Sequence, residues 1–232
     1  MQVYHDLTIS INKSGNVNCY YLDEPAFAYY ESPEFTGSLY AGGSVNCEKI
    51  SLYAHGCGTH TECALHVLKA GFDMRHINIP VLQPCRLISI NPVKKGGDLV
   101  ITADAVAHEN HPAVCDAIII RSLPNSDDKL HSNYSGTNPV YFEPEALSRL
   151  AAMGYRHILT DLPSIDKESD EGRLAAHKQW FLRDGEITGD TTITELIYVR
   201  NDIKDGIYVL SIQAPRIETD AVPSKILIFP CT

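Results

Sequence analysis

The residues best equipped for chemistry are concentrated in one short run. His55-Gly56-Cys57-Gly58-Thr59-His60-Thr61-Glu62-Cys63-Ala64-Leu65-His66 holds three of the ten histidines, two cysteines and a carboxylate. Imidazole nitrogen and carboxylate oxygen bind Zn²⁺, Mn²⁺ or Fe²⁺ well, so the run predicts a divalent-metal site. In an extended segment side chains repeat every two residues, which puts His60 and Glu62 on the same side. His66 shares that side only if the segment stays extended. Gly56 and Gly58 let the backbone turn tightly before the run. Cys57 and Cys63 could ligate as thiolates, although a small buried cysteine is the commoner case.

Two further stretches carry candidates. Thr160-Asp161-Leu162-Pro163-Ser164-Ile165-Asp166 follows a predicted strand, where α/β proteins often place functional loops. Ser164 lacks the G-x-S-x-G context of a nucleophile elbow, and Ser164 and Asp166 read as residues that shape the loop. His177 lies in Leu174-Ala175-Ala176-His177-Lys178-Gln179-Trp180-Phe181, which reads as a helical turn. Neither G-x-G-x-x-G nor G-x-x-x-x-G-K-[ST] occurs, which argues against a nucleotide cofactor.

The elements that must position these residues follow from periodicity. Asp6–Ile11 alternates with period two and predicts a strand, as do Asn46–Ala54 and, split by Pro84, Val81-Leu82 and Cys85–Ile90. Ile101–Ala107 predicts a strand running into a helix start. Asp116–Arg121 predicts a buried strand by its four consecutive apolar residues, and Ser122–Pro139 a loop. Glu143–Gly154 is the clearest helix, with Pro144 in its first turn and Gly154 at its stop. Tyr155–Thr160 predicts the next strand, so 116–160 forms a βαβ crossover with parallel strands. Ile193–Val199 reads as strand or helix, and Gly206–Gln213 and Lys225–Phe229 as closing strands. The expectation is one α/β domain over residues 1–232, built on a mixed sheet.

Composition narrows the function. The chain has 232 residues, 44% hydrophobic and 21% charged, which excludes a disordered or collagen-like protein. With 19 Lys+Arg against 29 Asp+Glu the net charge is −10, unfavourable for nucleic acid or an anionic membrane. The longest apolar runs are strand-sized, far below the ~20 residues of a membrane span. The first residues lack the pattern of a signal peptide. Seven cysteines without a CxxC predict free thiols in a reducing cytoplasm. The remaining partner is a small molecule. Tyr20, Tyr21, Tyr29, Tyr30, Trp180 and Phe181 are candidates to wall an aromatic one.

Taken together, the motifs resemble the metal-dependent cyclase/hydrolase family that includes bacterial kynurenine formamidase and isatin hydrolase. Its signature is H-x-G-T-H-x-D-x-x-x-H. Gly58-Thr59-His60-Thr61-Glu62-Cys63-Ala64-Leu65-His66 matches the later part, and Thr160–Asp166 its D-x-P-S-I-D string. The resemblance spans roughly residues 5 to 200. It implies a swivelling β/β/α fold, one or two ions of Zn²⁺ or Mn²⁺, and hydrolysis of an amide such as an aryl formamide or lactam. It implies His60, Glu62, His177 and Glu195 as metal ligands, with Glu62 able to bridge two ions. His66 is implied as the acid/base residue, and a catalytic part falls to Glu195 as well. Homodimers or homotetramers are expected. Two positions depart from the signature. Its first His falls on Gly56, leaving His55, or next Cys57, to reach the metal, and its Asp is Glu62. A cyclase or dehydratase acting on another carbonyl compound, or a metal-binding member without catalysis, remains compatible with these departures.

Overall fold

The computed structural model describes residues 4–107 and 115–231. Its main sheet has nine strands: β1 (His5–Asp6), β2 (His60–Glu62), β3 (Gln83–Ile90), β4 (Ala117–Ser122), β5 (His157–Thr160), β6 (Thr192–Glu195), β7 (Gly206–Gln213), β8 (Ala221–Pro223) and β9 (Lys225–Pro230). Their spatial order is β1-β9-β7-β3-β4-β5-β6-β2-β8. The central four, β3 to β6, are parallel, with Ala117 opposite both Cys85 and His157, and Ile158 opposite Ile193. The flanking strands on either side are antiparallel.

The apolar run in β4 is explained by burial on both faces. Ile118 and Ile120 join Ile158 and Ile193 in a core covered by helix α2 (Pro144–Ala152) and helix α3 (Ala175–Phe181), through Leu147, Leu150, Trp180 and Phe181. Ala117 and Ile119 face the opposite core, with Leu87, Leu159, Leu210 and Ile226. Between β4 and β5, α2 begins at Pro144, and Gly154 takes a left-handed φ of +99° just past its end. This is the βαβ crossover expected from the sequence. A short helix, α1 (Ala103–Ala107), starts where the sequence suggests, but the strand before it is Asp98–Ile101 and ends where the expected one begins.

Several expectations are corrected. Val81-Leu82 is not a strand, and Pro84 does not split β3 but sits inside it. Pairing with β4 begins one residue later, at Cys85, so the missing N–H of Pro84 costs no ladder bond on that side. The Asp6–Ile11 strand is reduced to His5–Asp6 plus a bridge at Thr8. Asn46–Ala54 shortens to Glu48–Ser51, paired with Ala26–Tyr29. The ambiguous 193–199 segment is strand up to Glu195 and then breaks at Leu196, whose φ is +54°. Among the described residues no helix is long and apolar enough to cross a membrane.

Candidate metal centre

Two adjacent strands and two loops bring the chemistry together. In β2, His60 and Glu62 point the same way, as extended geometry requires, and both are fully buried. The neighbouring β6 places Glu195 opposite His60. The chain then leaves β2 and tightens into a 3₁₀ turn, Ala64–His66, which folds the His66 ring back toward Glu62. Parity along an extended chain would not have done this. Just before β2 a second 3₁₀ turn, Ala54–Gly56, presents His55.

Gly56 itself has no room for a side chain. A Cβ there would lie 2.9 Å from Leu22 Cδ1 and 3.2 Å from Leu22 Cβ. His55 turns inward instead, with Nδ1 3.2 Å from Glu62 Oε2. Cys57 faces away and donates its thiol to the Tyr53 carbonyl.

Helix α3 supplies His177, and the loop after β5 supplies the Asp166 that holds it. Asp166 accepts from the backbone N–H groups of Ala176 (2.8 Å) and His177 (3.0 Å), satisfying donors that the start of α3 would leave unpaired. Its Oδ2 also lies 2.7 Å from His177 Nδ1. The other ring nitrogen, Nε2, then points inward, 3.0 Å from Glu62 Oε1 and 3.7 Å from Glu195 Oε1. His60 is held in the same manner. Its Nδ1 contacts the Gly58 carbonyl at 3.0 Å, and Nε2 faces Glu195 Oε2 at 3.4 Å. Glu195 Oε1 in turn accepts from the Ile165 N–H at 2.9 Å.

A fourth carboxylate was invisible in the sequence. Asp220 Oδ2 lies 3.0 Å from His55 Nε2 and 3.2 Å from His66 Nδ1. The two imidazoles stack with centroids 4.0 Å apart. No motif marks Asp220, which precedes β8 and reaches the centre only because Ala221 pairs with Glu62.

The electrostatics call for a cation. Glu62, Glu195, Asp166 and Asp220 pair only with histidines among the described residues; no Lys or Arg reaches them. Burial favours neutral Glu62, yet His177 and His66 hold its carboxyl well below the usual range. Burial acts to lower His55, but Asp220 and Glu62 outweigh it and push the ring up to about 10. His177 is likewise lowered by burial and raised more strongly by Glu62, Asp166 and Glu195, again to about 10.

A divalent ion fits the donors. His60 Nε2, His177 Nε2 and both Glu62 oxygens are buried without a hydrogen bond. The close contacts among them lack hydrogen-bond geometry, so acceptor atoms converge on one space. Two ligands about 2.1 Å from one ion at the tetrahedral angle stand roughly 3.4 Å apart, close to the 3.0, 3.4 and 3.7 Å spacings here. The donor atoms of His60, Glu62 and Glu195 lie within 4.8 Å of one another, as do those of His55, Glu62 and His66.

Above this floor opens a cavity of about 830 Å³, walled by Tyr20, Leu22, Leu52, Tyr53, Ile217 and Val222. Of the aromatics considered from sequence, Tyr20 lines it, its hydroxyl donating to the Pro163 carbonyl at 2.9 Å. Trp180 and Phe181 do not. Both are fully buried in the helix-covered core, where Trp180 Nε1 donates to the Thr192 carbonyl. Tyr29 lies on the strand Ala26–Tyr29 and Tyr30 just beyond it, away from the cavity, and Tyr21 borders a separate, shallower one.

A mixed sheet with helices on one face, and a buried His/carboxylate cluster beside its parallel strands, defines an α/β protein built to hold a metal. The chain belongs to the Cyclase family, described as "Putative cyclase", whose model matches residues 5–167. A predicted metal-dependent hydrolase from Bacillus stearothermophilus has a similar structure, with a TM-score of 0.70 at 21% identity over 99% of this chain and 98% of that one. Isatin hydrolase A from Labrenzia aggregata, bound to benzyl benzoate, gives 0.69 at 16% identity, covering 97% and 93%. An isatin hydrolase bound to the product analogue thioisatinate gives 0.67 at 14%, covering 99% and 92%. These likenesses establish the fold. No curated protein matches the chain at a significant level.

Proposed function

We propose that the chain is a metal-dependent hydrolase that cleaves a non-peptide amide C–N bond, in an aryl formamide or a lactam, in the manner of an arylformamidase. The observation that carries this reading is the convergence of four buried, unpartnered acceptor atoms, from His60, His177 and Glu62, on one space beneath an apolar cavity. His60, Glu62, His177 and Glu195 would hold a Zn²⁺ or Mn²⁺ ion, and His55, whose Nδ1 faces the second oxygen of Glu62, would help to hold a second. Such an ion lowers the pKa of bound water to about 7 and polarises a carbonyl oxygen.

The chain's own groups do the rest. His66 Nε2 faces Glu62 Oε2 at 3.9 Å, at the edge of the cavity. From there it can take a proton from the attacking water and return it to the leaving nitrogen, which a poor leaving group requires. Leu22, Leu52, Ile217 and Val222 exclude water and favour a flat apolar substrate, and Tyr20 and Tyr53 add aromatic walls. The names of the isatin hydrolases of like fold support a cyclic amide among the candidates.

The first test is elemental analysis of the purified protein beside His60→Ala. One or two equivalents of Zn or Mn, lost in the variant, followed by turnover of an amide or lactam in a screen that includes esters, is the expected result. Absence of metal after incubation with Zn²⁺ and Mn²⁺ would sink the reading. Full metal with no hydrolysis of any carbonyl compound would mark a metal-binding member without catalysis.

A further inference from the structure

Each of the four histidines is held by one ring nitrogen and aims the other inward. For His60 the outer partner is a backbone carbonyl, and for His177 it is Asp166. His55 and His66 share theirs. Both turn to the same atom, Asp220 Oδ2, but through different nitrogens: Nε2 of His55 at 3.0 Å and Nδ1 of His66 at 3.2 Å. The nitrogens left facing Glu62 Oε2 are therefore His55 Nδ1, at 3.2 Å, and His66 Nε2, at 3.9 Å.

The carboxylate is itself fixed. Thr219 Oγ1 donates to Asp220 Oδ1 at 3.1 Å. The Asp220 carbonyl accepts from the backbone N–H of Cys63 at 2.9 Å and from the Cys63 thiol. Side chain and main chain are thus tied to the segment that carries both Glu62 and His66.

We propose that Asp220 is a positioning residue that acts through two histidines at once. A single carboxylate oxygen accepts the outer N–H of both rings, fixing His55 as the Nε2–H tautomer and His66 as the Nδ1–H tautomer. The lone pair of His55 Nδ1 is then presented as a ligand and that of His66 Nε2 as a proton acceptor, on the same side of the stacked pair. A neutral imidazole has one donor and one acceptor nitrogen, and the bond made by the first decides where the second points. Outer carboxylates of this kind orient metal-bound histidines elsewhere, and their loss costs about 10- to 100-fold in affinity or activity. The inference rests on the hydrolase reading for the task of the two rings, not for their tautomers.

The test compares wild type, Asp220→Ala and the isosteric Asp220→Asn by nitrogen NMR of ¹⁵N-histidine-labelled protein, Zn²⁺-loaded and, in buffer above pH 10 where His55 is neutral, metal-free. Wild type should show His55 protonated at Nε2 and His66 at Nδ1. In Asp220→Asn the amide oxygen can stand in the place of Oδ2 and accept both N–H groups, so both tautomers should be kept. In Asp220→Ala neither ring is held. With an active substrate in hand, kcat of Asp220→Ala should fall about 10- to 100-fold while the metal bound by His60→Ala-sensitive ligands is retained. The opposite tautomer at His66 in wild type, or unchanged ring signals in Asp220→Ala, overturns the proposal. Failure to bind metal overturns the hydrolase reading instead, and the metal-free spectra still decide the role of Asp220.

Discussion

At the scale of single residues, the centre stores protons that a cation must displace. Metal-free His55 and His177 are held near 10 by the surrounding carboxylates. Loading Zn²⁺ at pH 8 should therefore release a proton from each of these rings that becomes a ligand, in addition to any from bound water, measurable by calorimetry in buffers of different ionisation enthalpy. The same shift fixes the sign of a stability effect. A His whose pKa is raised on folding adds stability fully present below its unfolded value, about 6.5, and lost as pH rises through the folded value. The denaturant midpoint of the metal-free protein should thus decline between pH 6.5 and 10, and the Zn²⁺-loaded protein should not follow it. How legible these residues were differs from one to the next. His60 and Glu62 could be paired from strand parity, because β2 really is extended. His66 needed the 3₁₀ turn that parity does not foresee. Asp220 left no mark at all, since its partners lie more than 150 residues away, at separations of 165 and 154.

At the scale of elements, the turn at Ala54–Gly56 explains why position 55, not 56, faces the centre. The backbone of Gly56 runs against Leu22, so a side chain at 56 meets packed atoms rather than the centre. Gly56→Ala should destabilise the fold by about 1–3 kcal/mol, the usual cost of overpacking. Leu22→Ala in the same chain should recover much of that loss, a coupling that a double-mutant cycle of denaturant midpoints reads directly. Helix α2 and the βαβ crossover could be read in advance because Pro144, the apolar spacing and Gly154 agree with the packing. Trp180 and Phe181 misled because α3 is apolar on the face that meets the sheet, and large aromatics near a functional histidine look alike in sequence whether they wall a cavity or fill a core. Pro84 misled in the other direction: pairing with β4 starts only at Cys85, so on that side a residue without an N–H fits inside the strand.

At the scale of the whole molecule, the centre is assembled from four distant stretches, at 55–66, 166–177, 195 and 220. An unfolded chain cannot gather all four, so an ion binds the folded state more tightly than the run 55–66 alone could. Zn²⁺ at about 100 times its dissociation constant should add about 2.7 kcal/mol. A rise in Tm on loading, reversed by a chelator and absent in His60→Ala, is the expected outcome of a thermal scan. The strand that delivers Asp220 has another consequence. β8 is only three residues long, stands at the rim of the sheet beyond β2, and ends at Pro223. A rim so short, with a residue that has no N–H to offer, is a poor template for another chain to add a strand. The sheet margin beside the metal centre is thereby also shielded from the edge-to-edge aggregation to which long, flat sheet margins are prone.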